Sequence, residues 1–186
     1  MLPVSLAQSL EPKWPNGPYR YLVVDQDLRD ILSEFGRNLN MGVQISDQVT
    51  GRRIRGRLPI TTAKEFLTRI CASYGLVWYY DGAKLHINAE NEMRAETVSL
   101  GQVNPATMKE RLQELGIADG RYEIRSTGDN SRVLSVSGPP RYLEHIREAV
   151  AAMQKPVAPA PAKNVQEVPN GDYKNVRIFR GGQNGS

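Results

Sequence analysis

The sequence holds a single cysteine, Cys71, among 186 residues. A disulfide needs two, so an intrachain disulfide scaffold is excluded, and a cysteine-based zinc site falls with it. Histidine is almost as scarce, with His86 and His145 alone, so a metal site would have to be improvised from other donors. Aromatic residues make up only 7%. No run approaches the ~20 apolar residues with which a helix crosses a bilayer. The 24% of charged and 40% of hydrophobic residues are ordinary for a globular chain and argue against a collagen-like, coiled-coil or wholly disordered sequence. The length leaves room for one ordinary domain or two small ones.

The net charge of +4 is unevenly placed. Residues 19–93 carry ten basic and nine acidic side chains, and residues 94–154 carry eight of each. Residues 155–186 carry five basic and two acidic. Both globular-looking parts are therefore near neutral, which weakens a nucleic-acid reading, because that wants a basic face on the folded part. At the other end, Leu2 to Ser9 run from apolar to small residues at Ser5 and Ala7. That resembles the end of a secretory signal, so export is expected, and no cysteine follows to take a lipid anchor. Residues 1–18 read as a signal remnant followed by an extended lead-in rich in proline.

Hydrophobic periodicity organises the rest. A strand is expected over 19–24, then a helix in which Leu28, Ile31, Leu32, Phe35 and Leu39 share one face, with Asp25 as its cap and Asn40 and Gly42 as its stop. A short strand follows at 43–46. In the next segment Arg53, Arg55 and Arg57 alternate with Ile54, Gly56 and Leu58, which places the arginines on the solvent face of a strand that Pro59 ends. Thr62 and Glu65 form a capping box for a helix buried through Ala63, Phe66, Leu67, Ile70 and Tyr74, with Cys71 as a small core residue beside that stripe. Strands 76–80 and 83–88 make a hairpin around Asp81-Gly82. Residues 90–94 read as a short linker.

A second unit begins with a strand at 97–100. Asn104 caps a helix with Pro105 at its first position and an apolar stripe of Met108, Leu112 and Leu115. Tyr122 and Ile124 mark a strand, Gly128-Asp129-Asn130 a turn, and 133–137 the returning strand. Gly138-Pro139-Pro140 then opens a helix buried through Leu143, Ile146, Val150 and Met153. The expected fold class is α+β. Two small mixed modules stand in tandem, β-α-β-β-α-β-β over 19–92 and β-α-β-β-α over 95–154. The second is marginal alone by surface-to-volume arithmetic. Residues 155–186 read as a Pro/Ala spacer and a tail holding one strand-like run, Val176 to Phe179, which must pair with something to persist.

No catalytic constellation is recognisable. His86 alternates outward on its strand and His145 sits among charges on its helix, so both read as solvated. Gly116 to Gly120 lacks the ending of a phosphate loop. The order of the second module resembles the KH fold. The basic Gly-x-x-Gly clamp of that fold is absent, so no nucleic-acid partner is expected, and no cofactor or metal is called for. The sequence reads as an assembly component rather than an enzyme. Arg53, Arg55 and Arg57 are the candidate protein-contact residues, facing an acidic partner or guarding an edge strand.

These residues carry a family resemblance. Gly51-Arg52-Arg53-Ile54-Arg55-Gly56-Arg57-Leu58, the Thr-capped helix after it, and Tyr74-Gly75-Leu76-Val77-Trp78-Tyr79-Tyr80-Asp81-Gly82 resemble the first periplasmic domain of type III secretion secretins. Ser135-Val136-Ser137-Gly138-Pro139-Pro140-Arg141-Tyr142 resembles the second, ring-building periplasmic domain of that family. Val176-Arg177-Ile178-Phe179-Arg180 is similar to the strand that opens the next one. The resemblance implies a structural part of a type III secretion apparatus. It would form the periplasmic section of the outer-membrane secretin ring through which effector proteins are exported. Its implied partners are further copies of itself in a homo-oligomeric ring, the inner-membrane ring proteins, and a separate barrel-forming secretin chain, as in the short split secretins of rhizobial nodulation. The rival expectation is a periplasmic docking or signalling module that forms no ring.

Overall fold

The structure is a computed structural model that describes residues 10–57, 60–126 and 132–154. The expected signal remnant at 1–9, the strand-ending Pro59, the expected turn at Gly128-Asp129-Asn130 and the expected spacer and strand of the tail lie outside the described residues. The first module runs β1 (Leu22–Asp27), α1 (Leu28–Asn38), β2 (Gly42–Ile45), β3 (Arg53–Arg57), α2 (Ala63–Tyr74), β4 (Leu76–Tyr80) and β5 (Lys84–Ala89). The second runs β6 (Arg94–Ser99), α3 (Pro105–Glu114), β7 (Ile124–Ser126), β8 (Val133–Gly138) and α4 (Pro140–Gln154). Both element orders, and the α+β class, match the expectation from sequence.

Among the described residues three small sheets form. β1 pairs antiparallel with β3. β5 lies between β2, which runs parallel to it, and β4, which runs antiparallel. β8 lies between β6 and β7, antiparallel to both. Helix α1 turns Leu28, Ile31, Leu32 and Phe35 into the first core, where Phe35 stacks on Phe66 of α2. The capping box of α2 forms as expected: Thr62 Oγ1 accepts from Glu65 N–H, and the Glu65 carboxylate accepts from Thr62 N–H. Such a cap contributes about 1 kcal/mol. Gly75, at φ 65°, ends the helix in the left-handed conformation that favours glycine. The second core gathers Met108 and Leu112 of α3, Leu134 and Val136 of β8, and Tyr142, Leu143, Ile146 and Val150 of α4.

Four local expectations are corrected. The cap of α1 is Asp27, whose Oδ1 accepts from Arg29 N–H at 2.8 Å. Asp25 is freed from that role because the β1–β3 register slips between Val23 and Gln26 and carries Asp25 to φ 48°. Leu115 is 55% exposed, because α3 ends at Glu114 and Leu115 is its capping residue rather than part of the stripe. In the hairpin, Tyr80 faces Leu85 and Asp81 N–H donates to Lys84 O, so Gly82-Ala83 forms the tip. Asp81 stands one place before the tip, its Oδ1 accepting from the N–H groups of Ala83 and Lys84. Residues 90–94 are no loose linker: Glu90–Glu92 form a single 3-10 turn, Glu90 N–H donates to Gly75 O, and β6 starts at Arg94.

Candidate protein-contact face and inter-module joint

The arginine strand sits where the alternation placed it. Ile54 of β3 is buried, whereas the side chains of Arg53 and Arg55 are 69% and 77% exposed. The side chain of Arg57 lies outside the described residues. Asp25, expected as a helix cap, supplies the counter-charge instead. Arg55 Nε lies 2.7 Å and Arg53 Nε 3.2 Å from its Oδ1, and Arg53 Nη2 also donates to the Asp25 carbonyl at 2.9 Å. Donation first from Arg55 and then from Arg53 holds the Asp25 carboxyl below the usual carboxylate range. Exposed pairs of this kind add little stability; here they splay two guanidinium groups across one face. Leu22 and Val24 of β1 are exposed beside it at 64% and 71%. The β1–β3 sheet thus combines apolar and basic surface.

A second assembly lies between the two modules, and local sequence patterns did not reveal it. β4 buries residues to both sides: Trp78 enters the first core, and Tyr79, 1% exposed, enters the second. Tyr79 meets Tyr142 edge to face at 5.1 Å and Tyr122 at 6.4 Å, distances at which aromatic pairs attract. Its hydroxyl lies 2.7 Å from His145 Nδ1. In return Tyr122 O–H donates to the Trp78 carbonyl at 2.7 Å, and the Arg121 guanidinium lies 3.4 Å over the Trp78 ring. Asp119, buried in the Gly116 to Gly120 loop, holds Arg121 there through an ion pair. On the lead-in, Leu10 N–H donates to Gly116 O while Trp14 packs on the first core.

The polar part of the joint converges on Asp81. His86 Nε2 donates to its Oδ2 at 2.8 Å, and Arg141 Nε reaches the same oxygen at 3.2 Å. Burial pushes the Asp81 carboxyl up. Donation from Lys84 and Ala83 N–H, His86 and Arg141 outweighs it and leaves the carboxyl far below the ordinary carboxylate range. Arg141 also pairs with Glu144 and Glu148 on its own helix. His86 is therefore 7% exposed rather than solvated, and His145 is bonded across the joint. The missed signal was in β4 itself: Leu76-Val77-Trp78-Tyr79-Tyr80 has no polar alternation, the mark of a strand buried on both faces. Cys71 is buried as expected, and burial pushes its thiol up to about 12.

Residues 21–88 match the family model of the SPI-1 type 3 secretion system secretin, N0 domain. The chain is 28% identical to a protein of the Salmonella SPI-1 injectisome basal body, described with InvG, PrgH and PrgK, over 72% of this chain and 28% of that one, with a TM-score of 0.62. A Salmonella structure of InvG N0N1 with SpaPQR and PrgHK matches at 26% identity and a TM-score of 0.63, over 75% of this chain and 96% of that one. This is the fold of secretin N-terminal domains. Among curated proteins, nodulation protein NolW of Rhizobium fredii is 42% identical over 80% of this chain, and the type 3 secretion system secretin of Ralstonia nicotianae 32% over 76%. The chain spans 65% of the length of that NolW and 24% of that secretin. The family model ends at residue 88 and the InvG N0N1 match covers 75% of this chain, so the secretin likeness reaches past the N0 region.

Proposed function

We propose that the chain is a periplasmic structural component of a type III protein secretion apparatus, part of the secretin ring through which effector proteins leave the cell. The match to InvG N0N1 carries this reading, because it covers 75% of this chain and so reaches past the N0 region. The 42% identity to NolW points to the nodulation-linked branch.

In physical terms, residues 19–92 and 95–154 act as two ring-building domains. Each copy contributes modest contacts to its neighbours, and cyclic closure with multivalency supplies the strength. The second module makes contacts within the ring. The first reaches toward the inner-membrane ring, and its Arg53 and Arg55 face, with Arg57 of the same strand, meets acidic surface there. Association in the envelope next to the outer-membrane gate follows from that arrangement. An in-frame deletion of the gene in the native host should abolish effector export, and expression of the intact gene should restore it. Export at the parental level in the deletion strain would overturn the proposal.

A further inference from the structure

Residues 10–14 of the lead-in belong to no helix or strand, yet both modules hold them in place. Leu10 N–H donates to the Gly116 carbonyl of the second module at 2.6 Å, and the Leu10 side chain packs on the second core. The Glu11 carboxylate pairs with Lys64 Nζ of α2 at 2.7 Å, and Pro12 is buried. Trp14 meets Phe35 of α1 and Trp78 of β4 at the first core. We propose that residues 10–14 are a releasable strap across the joint: with Leu10 seated the modules keep one orientation, and with Leu10 withdrawn they pivot about Tyr79.

Fixing irregular backbone costs conformational entropy at every residue, so such a segment stays in place only through its anchors. Here the anchors lie on different modules. Trp14 and Glu11 hold to the first, and Leu10 holds to the second. Leu10 also reaches the hairpin tip of the first module: a Cβ at Gly82 would lie 3.8 Å from its Cδ1. Three residues separate Leu10 from Trp14, and an extended chain advances at most about 3.6 Å per residue. The modules therefore cannot swing far apart on this side until one anchor gives way. Among the described residues, the hydrogen bonds and ring contacts across the rest of the joint gather on Trp78 to Asp81. That cluster and the covalent link through residues 90–93 are two points of attachment, and a body held at two points still rotates about the line between them. The strap is the third point, which fixes the angle.

The two ends of the strap are unequal. Trp14 packs its ring against Phe35 and Trp78, and the fixed φ of Pro12 leaves less freedom to lose on ordering. Leu10 is half-buried and held by a single backbone hydrogen bond. The end on the second module therefore opens first, as a local event that leaves both cores packed. Tyr79 stays buried in the second core while belonging to a strand of the first module, which makes it the pivot. The strap and its test are independent of the function proposed above.

The test uses the full chain with spin labels on cysteines placed at Arg69 of α2 and Lys109 of α3, both exposed. Cys71 is buried and remains unlabelled. Pulsed dipolar spectroscopy reads the inter-label distance in the intact chain and in two variants. One lacks residues 1–11 and keeps Trp14. The other is full-length Leu10→Asp, which puts a charge where Leu10 packs. The expected result is one narrow distance peak for the intact chain and a distribution at least about twice as wide in both variants. A peak that stays narrow in either variant overturns the strap, as does a broad distribution in the intact chain. Amide hydrogen exchange on the unlabelled intact chain gives a second reading. The Leu10 amide should exchange at least about tenfold more slowly than in an unstructured peptide, and faster than the Leu134 amide in the core of β8. Exchange at the unstructured rate contradicts a seated strap, and exchange as slow as that of Leu134 contradicts a releasable one, even where a variant folds poorly.

Discussion

Tyr79→Ala should destabilise the protein by about 3–5 kcal/mol, the range for removing a buried aromatic ring from a core. For a chain of this length that corresponds to a fall of roughly 6–20 °C in Tm. The reason is positional. Tyr79 belongs to β4 of the first module but is counted among the side chains of the second core, where it touches Tyr122 and Tyr142. Its loss opens a cavity in a module that is small to begin with and removes the principal apolar link across the joint. Tyr79→Phe keeps the ring and forfeits only the contact with His145, so it should cost about 1 kcal/mol. Thermal and urea unfolding of the three proteins check both values. A Tyr79→Ala loss below about 1 kcal/mol would show that the ring is not part of the second core, since core aromatics are worth several times that.

Arg53→Glu with Arg55→Glu should leave the fold standing and abolish assembly. Both side chains are largely exposed, and their pairing with Asp25 adds little stability. Stability in isolation should therefore change by less than about 1 kcal/mol, with part of that from the new repulsion at Asp25. At an interface the same reversal sets like charges against each other, which costs several kcal/mol per contact and is repeated around a ring. The variant should be found in the envelope at normal abundance but outside the high-mass complex, with effector export reduced at least about tenfold, equivalent to 1.4 kcal/mol in one equilibrium. Normal export from a normally folded variant would remove Arg53 and Arg55 from the contact surface.

Local elements were legible in the sequence because their causes are local. The spacing of Leu28, Ile31, Leu32 and Phe35 set α1, the Thr62–Glu65 box set the start of α2, and Asn104-Pro105 set the start of α3. Where two residues competed for one role, spacing could not decide. Asp25 and Asp27 both suit a helix cap, and the irregular β1–β3 register gives that role to Asp27 and sends Asp25 to the arginines. The joint was illegible for a different reason. Tyr79 and His145 are 66 positions apart, Asp81 and Arg141 60, and Trp78 and Tyr122 44. Such pairs leave no periodic trace, so His86 and His145 read as ordinary polar positions on a strand and a helix. The exposed face of β3 was legible, whereas its counter-charge and apolar border were not, because both come from β1 across the sheet.

Co-isolation tests most directly whether this chain is a built-in part of a secretin ring. The tagged chain would be recovered from detergent-solubilised envelopes of its native host and its companions identified by mass spectrometry. The expected result is a high-mass complex containing many copies of the chain, a barrel-forming secretin sequence and inner-membrane ring proteins of the secretion system. Recovery as a soluble monomer without those companions would contradict it and favour a docking module that enters no ring.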